Sequence, residues 1–342
     1  MPLVIKGVLS VWAVFVGSVI GAGFASGAET VTFFAVYGTS GLVGALIAGA
    51  VLALLGARLM LIARKAESRD DVLRLLFSRA SPLMRAMLGI FWLTMLSVML
   101  AGAGALGASL GVPAVVGTGA LAVFLYALSL GGARMLPLAN MAVTPLVIVV
   151  VAVMAVCSLF YHRDHLLPMM VISPVPMSLL TDCLYYASYN LAMCLPALIS
   201  LPPMRPLAIR IGAVLAGTTL FLLLAMLLLV VMLHYEEAVR EPIPMLMVAE
   251  MQDASCYCGY ALILSLSMVT SALGALIGAC RLCAPYVRSE RVCSAFFLAV
   301  CFAASQAGFT TLVQSVLPML GLVSLIFTIR LCLPVRGGTL RH

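Results

Sequence analysis

Residues 17–27 read Gly-Ser-Val-Ile-Gly-Ala-Gly-Phe-Ala-Ser-Gly, a glycine-rich stretch within the first long apolar segment of the chain. This segment runs from Val4 to about Tyr37 and is longer than the ~20 residues that a helix needs to cross a bilayer. Each glycine weakens a helix by about 1 kcal/mol relative to alanine. The sequence therefore predicts one crossing made of two half-helices.

A break in a membrane helix exposes main-chain groups that lipid cannot satisfy. Unwound backbone at membrane depth is stable only where it faces protein or a water-filled cavity. The break therefore indicates a binding site. Close helix packing is the alternative interpretation, because Gly17 and Gly21 also have the small-xxx-small spacing of packed membrane helices.

The composition is that of an integral membrane protein. Of 342 residues, 64% are hydrophobic and 9% are charged, and the mean hydropathy is +1.21. Such a chain has little soluble mass, which excludes a globular catalytic domain. The first segment is too long for a cleavable signal peptide and is expected to remain as an anchor. The net charge of +7 comes from basic residues spaced between apolar segments, so nucleic acid is not an expected partner.

Hydropathy and charge together predict the topology. Windows of about 19 residues give ten candidate spans. They lie at about 5–36, 40–62, 84–110, 113–131, 135–160, 174–201, 206–233, 256–281, 291–307 and 310–332. With the amino terminus inside, 17 of the 19 basic residues fall on the inner side and only Arg163 and Arg240 fall outside. This sorting fits the positive-inside rule and predicts a multi-pass protein of a bacterial cytoplasmic membrane with both termini in the cytoplasm.

The sixth span is polar at its centre. Residues 182–190 read Asp-Cys-Leu-Tyr-Tyr-Ala-Ser-Tyr-Asn, and Pro196 follows. Proline disrupts a helix interior, so a second break is predicted. Its centre, Ser188, lies 166 positions after Ala22, the centre of the first break. Interrupted helices at matching places in two halves are typical of transporters with inverted repeats. We therefore expect two five-span repeats, residues 1–160 and 161–342, within a single membrane domain.

The motif at the first break resembles that of a known group of proteins. The run from Val16 to Glu29 is similar to that of YkvI-type membrane proteins, and Gly17–Phe24 resembles the unwound first helix of LeuT-fold transporters of the amino acid–polyamine–organocation superfamily. The match at residue level covers the first and sixth helices and part of the eighth. The resemblance implies an all-α, LeuT-like fold of ten transmembrane helices in a 5+5 inverted repeat, with helices 1 and 6 broken.

The same resemblance implies a function. It points to a cation-coupled secondary transporter of a small organic solute, such as an amino acid or related amine, working by alternating access around helices 1 and 6. The alternative is a membrane nutrient sensor with a transporter-like fold and no flux. An enzyme is not expected, because the sequence has no credible catalytic motif.

Each break exposes main-chain groups that bind an anion and others that bind a cation. Exposed amides at the start of a half-helix favour an anion, and exposed carbonyls at the end of the preceding one favour a cation. Main-chain contact with a carboxylate-like group is assigned to Gly21, Ala22, Gly23 and Phe24. The facing wall is assigned to Tyr186, Ser188, Tyr189 and Asn190. Interhelical hydrogen bonding is the alternative role for the tyrosines and Asn190.

The resemblance also implies a sodium site between the first and eighth helices. Its ligands would be the Gly17, Ile20 and Ser267 carbonyls with the Thr270 and Ser271 side chains. Hard cations require several oxygen ligands, and this set supplies them. The hydroxyls can instead bond to their own helix, and a proton is the alternative coupling ion. No other cofactor is expected.

Glu29 and Asp182 are the carboxylates expected within the membrane region, where ionisable groups are costly and functional by default. Each lies six residues from its break, or about 9 Å along a helix, toward the outside. They are expected to gate the outer vestibule, attract a cationic solute or carry a proton. For Glu29 the alternative is a simple cap at the interface end of its half-helix.

Two connecting segments are predicted to be helical in part. Ser68-Arg-Asp-Asp71 resembles a capping box that precedes an amphipathic turn at residues 72–77. Residues 242–250 are predicted to form either a lid helix over the outer entrance or a solvated loop. Most cysteines are expected to pack as small residues. The Cys280–Cys283 pair has no further cysteine or histidine at the spacing of a metal site. A disulfide between Cys256 and Cys258 is left open.

Overall fold

The computed structural model describes residues 2–66, 71–161, 174–284, 287 and 289–334, and all regular secondary structure within them is helical. The α-helices are α1 Pro2–Val19, α2 Ala22–Ser26, α3 Ala28–Phe33, α4 Ser40–Ala63, α5 Asp71–Phe77, α6 Ser81–Ser109, α7 Ala114–Ser129, α8 Met135–Tyr161, α9 Met177–Leu198, α10 Pro206–Leu233, α11 Tyr235–Ala238, α12 Pro244–Gln252, α13 Ala254–Cys283, α14 Glu290–Ser305 and α15 Phe309–Cys332. Short 3-10 turns occur at Ala35–Tyr37, Ser78–Ala80 and Gly132–Arg134.

Several helices have the length and composition of membrane spans. Within the described residues, these are Ser40–Ala63, Val72–Ser109, Met135–Tyr161, Pro206–Leu233 and Ala254–Cys283, while Val4–Val19 and Ala114–Ser129 are shorter apolar helices. The chain is thus a helical, multi-pass membrane protein. Helices also occupy the other predicted spans, and the number ten stays a prediction.

The first apolar segment is broken, as the sequence predicts, and it is broken twice. The amide of Gly21 bonds the Val19 carbonyl at 2.8 Å rather than the Gly17 carbonyl, so the helical ladder stops after α1. The ladder resumes in α2, where the Ala25 amide bonds the Gly21 carbonyl at 2.9 Å. Gly27 then adopts φ +80°, a left-handed conformation that glycine reaches without steric cost, and separates α2 from α3.

The predicted break in the sixth span is wrong. α9 is one continuous helix over Met177–Leu198, and it passes through Ser188 without interruption. This segment contains no glycine. The Asn190 side chain donates to the Tyr186 carbonyl of its own helix at 3.0 Å, which leaves the ladder in place. Pro196 lies in the last turn of α9. Of the two interrupted helices that the sequence predicts, the described residues therefore contain the first and not the second.

A distant side chain compensates for Pro196. Proline has no N–H, so the carbonyl four residues earlier, that of Ala192, lacks its helical donor. The Trp92 indole Nε1 on α6 donates to this carbonyl at 3.0 Å. Gly278 on α13 lets the helices approach, because a Cβ atom placed there would lie 2.7 Å from Pro196 Cγ and 2.8 Å from Trp92 Cδ2. The end of α9 is therefore held by packing from α6 and α13.

The interrupted helix lies at the centre of the helical packing. α1 packs against α8, α9, α10 and α13, and α9 also packs against α4 and α15. Small residues permit close crossings, as at α4 and α10, where a Cβ placed on Gly49 would lie 2.8 Å from the Gly217 carbonyl oxygen. This arrangement encloses the break between α1 and α2.

The two helical connections are confirmed. α12 begins at Pro244, so this segment is a helix rather than a loop, and it packs on α2 and α13. A role as a lid stays a prediction. Its Met245 Cγ lies 2.7 Å from the position of a Cβ on Gly27. α5 forms over Asp71–Phe77, while residues 68–70 of the predicted capping box lie outside the described residues. Cys256 and Cys258 are both free thiols.

Candidate functional site

The break between α1 and α2 lies against α13. A Cβ placed on Gly21 would be 2.9 Å from Ser271 Oγ, so this hydroxyl contacts the unwound main chain directly. Ser271 Oγ is buried and has no hydrogen-bond partner among the described residues. The Thr270 hydroxyl instead donates to the Ser267 carbonyl at 3.0 Å within α13. Of the predicted cation ligands, Ser271 thus reaches the break, next to the buried Ile20.

Gly17, the remaining predicted cation ligand, faces α8. A Cβ placed on Gly17 would be 3.2 Å from Asn140 Cβ and would collide with Thr144 Oγ1. Asn140 Nδ2 donates to Ser18 Oγ at 3.0 Å, and Thr144 Oγ1 donates to the Ala13 carbonyl at 3.0 Å. Asn140 Oδ1 is buried without a hydrogen-bond partner among the described residues. The sequence patterns did not identify Asn140 or Thr144 as residues beside the first helix. The available signal was the amide side chain of Asn140 within an otherwise apolar segment.

Glu29 lies beside the break rather than about 9 Å from it. A Cβ placed on Gly23 would be 2.7 Å from Glu29 Cγ and 2.8 Å from its Cδ. A straight helix would separate these residues, so the left-handed Gly27 brings them together. Glu29 is 4% exposed, and its Oε2 has no hydrogen-bond partner among the described residues. This burial contradicts the alternative in which Glu29 caps a helix end at the membrane interface.

Aromatic rings from α3 and α9 form the wall next to Glu29. The Phe33 and Tyr189 rings stack with centroids 5.8 Å apart. The Tyr186 ring meets them edge-on at 5.7 Å and 5.6 Å, respectively. The Tyr189 hydroxyl lies near the Glu29 carboxyl. We call these four residues the Glu29 cluster. Ring faces are electron-rich, so together with a carboxylate they favour a positively charged group.

Ser188, Asn190 and Phe24 are also buried. Ser188 Oγ has no hydrogen-bond partner among the described residues, whereas Asn190 bonds to its own helix. Phe24 is 0% exposed, and Ala22 is the first residue of α2. α2 has only five residues and is therefore much shorter than the predicted half-helix. Tyr260 of α13 donates its hydroxyl proton to the Ala25 carbonyl at 2.5 Å and so ties α2 in place.

Asp182 lies apart from the break, near the start of α9. It is half-buried, and the Tyr37 hydroxyl donates to its Oδ2 at 2.8 Å. This bond joins the end of the first apolar segment to the start of the sixth. The structure therefore brings Glu29, Tyr186 and Tyr189 together with Gly23, and Asp182 forms a separate contact.

Comparison with known proteins identifies a relative by sequence and solved structures with a similar fold. No protein-family model matches the chain. The chain is 29% identical over 322 residues to the uncharacterized membrane protein YkvI of Bacillus subtilis (strain 168), with 92% of each chain covered. The matches among solved structures include the Eremococcus coleocola manganese transporter, with a TM-score of 0.59 and 15% identity over 94% of this chain and 76% of that one.

A second structural match comes from another class of transporter. Mhp1, a nucleobase-cation-symport-1 family transporter solved in a closed conformation, gives a TM-score of 0.50 at 14% identity, over 92% of this chain and 74% of that one. At such identities the likeness shows the fold alone. The chain therefore shares the helical fold of these LeuT-like transporters.

Proposed function

We propose that this protein is a secondary transporter that moves a small organic solute, an amino acid or related amine, by alternating access around the α1–α2 break. The observation that supports this proposal is the set of buried oxygen atoms beside the break that have no hydrogen-bond partner among the described residues. They are Ser271 Oγ, which lies against Gly21, and Glu29 Oε2, whose carboxyl group lies against Gly23. Leaving one such group unpaired costs about 1–3 kcal/mol, so a bound polar solute that pairs with them is stabilised.

The two sides of this site offer different chemistry. The last carbonyls of α1 and the first amides of α2 have no partner within their own helices, and such groups suit a cation and a carboxylate, respectively. The Glu29 cluster supplies a carboxylate and ring faces, which suit an amine. A zwitterion or an amine therefore satisfies the site better than an anion does. In this proposal α9 contributes side chains only, because its helix is unbroken.

Coupling to a cation is part of the proposal. Ser271 Oγ beside Gly21 provides an oxygen ligand next to the end of α1, where sodium would be held. Proton coupling is the alternative to sodium coupling, and Glu29 would provide it. If the Glu29 carboxyl group binds and releases a proton as the amine leaves and enters its site, uptake is coupled to a pH gradient. Uptake driven separately by a sodium gradient and by a proton gradient distinguishes the two ions.

The test is uptake into proteoliposomes made with the purified full chain. A panel of labelled amino acids and amines, first narrowed by thermal stabilisation of the protein, is offered with each gradient. We expect saturable accumulation of at least one solute and its loss in Glu29→Gln, which keeps the shape but removes the charge. Glu250→Gln, at an exposed position of α12, is the matched control and should transport normally. Binding without accumulation in both gradients would instead identify a sensor.

We further propose ten spans with both termini in the cytoplasm, divided into inverted repeats at residues 1–160 and 161–342. Two exposed thiols report on this topology: Cys258 near the start of α13 and Cys332 at the end of α15. In single-cysteine variants, an impermeant maleimide should label Cys258 in intact cells and Cys332 only after permeabilisation. Labelling of both from the outside would contradict the proposed topology.

A further inference from the structure

A second feature, remote from the break, has the form of a ligand site. A cleft of about 920 Å³ lies between α5 and α6 on one side and the end of α13 and the middle of α14 on the other. Arg74, Arg79 and Arg85 line it together with two serines. Among the described residues that line the cleft there is no aspartate or glutamate. The cleft therefore has a basic mouth.

Beyond the arginines the cleft is apolar. Ile90 and Leu93 of α6 face Leu282 of α13 and Phe297 of α14. The distance along α6 from Arg85 to Leu93 is eight residues, or about 12 Å at 1.5 Å per residue. Ile90 is 66% exposed, so this wall is open along the outer surface of the helix. A basic mouth thus continues into an apolar groove that runs along a membrane-spanning helix.

We propose that this cleft binds an anionic phospholipid, with the phosphate of the headgroup among the three arginines and an acyl chain along the apolar wall. The guanidinium fork matches phosphate oxygens in charge and geometry. A soluble phosphate ester satisfies the arginines but leaves Ile90 and Leu93 uncovered, whereas a lipid covers both parts. The site is separate from the transport proposal and does not depend on it.

The first test compares lipids by native mass spectrometry of the detergent-purified full chain. Phosphatidylglycerol is expected to bind at least tenfold more tightly than phosphatidylcholine with the same acyl chains. Each arginine near the membrane surface contributes about fivefold to the affinity for anionic lipid, so Arg79→Ala should weaken binding about fivefold and Arg79→Ala with Arg85→Ala about 25-fold. Arg134→Ala, an exposed arginine outside the cleft, removes the same charge and should change nothing.

The second test addresses the acyl chain while keeping every arginine. Gly89 also lines the cleft, and a Cβ placed there has Leu282 Cδ1 at 3.4 Å as its nearest contact. Gly89→Phe should fill the groove and weaken the binding of phosphatidylglycerol at least fivefold. Gly119→Phe is the matched control on α7, where the nearest contact, Phe302 Cε2, is 3.9 Å away. Unfolding temperatures of the four single variants verify that each one is folded.

Three outcomes would overturn the proposal. Equal affinities for phosphatidylglycerol and phosphatidylcholine would show that the charge of the headgroup does not determine binding. A loss in Arg134→Ala as large as in Arg79→Ala would show general attraction rather than a site. Competition by glycerol 3-phosphate at lipid-like concentrations, together with unchanged binding in Gly89→Phe, would identify a soluble phosphate ester as the ligand.

Discussion

Gly21→Ala tests whether the break is built around its contact with Ser271. The Gly21 backbone has φ −100° and ψ −168°, an extended conformation that any residue adopts, so alanine adds no backbone strain. The added Cβ would lie 2.9 Å from Ser271 Oγ and 3.3 Å from Ser271 Cβ. Both distances are shorter than the ~3.5–4.0 Å of favourable contacts. Overpacking of this kind costs about 1–3 kcal/mol, which is the destabilisation expected for Gly21→Ala.

A second substitution isolates the contact. Ser271→Gly removes both clashing atoms and should by itself cost only about 0.5 kcal/mol, the difference in helix propensity between serine and glycine. No hydrogen bond of Oγ to a described residue is lost. Gly21→Ala combined with Ser271→Gly should therefore be more stable than the sum of the single effects, with a coupling of about 1–3 kcal/mol. The assay is thermal unfolding of all variants in one detergent, followed by solute uptake.

Gly259→Ala is the control for the effect of alanine itself. Gly259 lies in α13, and nothing lies within 4 Å of a Cβ placed there. This variant should be as stable as the wild type or gain up to about 1 kcal/mol. The reasoning is refuted if Gly21→Ala behaves like Gly259→Ala, or if Ser271→Gly fails to restore its stability.

Two further predictions concern contacts around α13. Tyr260→Phe removes the bond to the Ala25 carbonyl and should lower the stability by about 0.5–1.5 kcal/mol, measured by thermal unfolding; an unchanged unfolding temperature would contradict the contact. The Cys256 amide donates to Asp253 at the start of α13 and holds the pKa of that carboxyl below its usual value. A lowered pKa stabilises the fold above the unfolded-state pKa, and this contribution is lost as the pH falls through the folded-state value. Asp253→Ala should therefore unfold at a lower temperature than the wild type at pH 7, and the difference should shrink as the pH falls through the folded-state pKa of Asp253. Asp253→Asn, which still caps the helix, should stay close to the wild type at pH 7.

The first break was predictable because its cause is local. Glycines at positions 21, 23 and 27 lower the helix propensity of the segment, and the break forms among them. The continuity of α9 was not predictable, because its cause is distant in sequence. Pro196 was expected to break the helix, but α9 continues through it to Leu198, and Trp92 on α6 supplies the hydrogen bond that the proline removes. Single-sequence patterns contain no information on such a partner.

The candidate site was predictable in its residue types and less so in its geometry. Glu29, Tyr186 and Tyr189 were each identified as polar residues in apolar segments. Their assembly into one cluster depends on Gly27, whose φ of +80° redirects the chain after α2. A glycine in a sequence permits a left-handed conformation but does not require it. The distance of about 9 Å expected along an uninterrupted helix was therefore wrong.

The difference between the interrupted α1–α3 segment and the continuous α9 has a consequence for the proposed transport. α9 is held at one end by the Trp92 bond to Ala192 and at the other by the Tyr37 bond to Asp182, and its ladder is continuous between them. The segment from α1 to α3, by contrast, contains two interruptions, one at Gly21 and one at Gly27. Closure around a solute is therefore expected to move α2 and α3 against α9 as a fixed wall. Selectivity would then depend on the side chains of α9, and coupling to a cation on the main chain at Gly21.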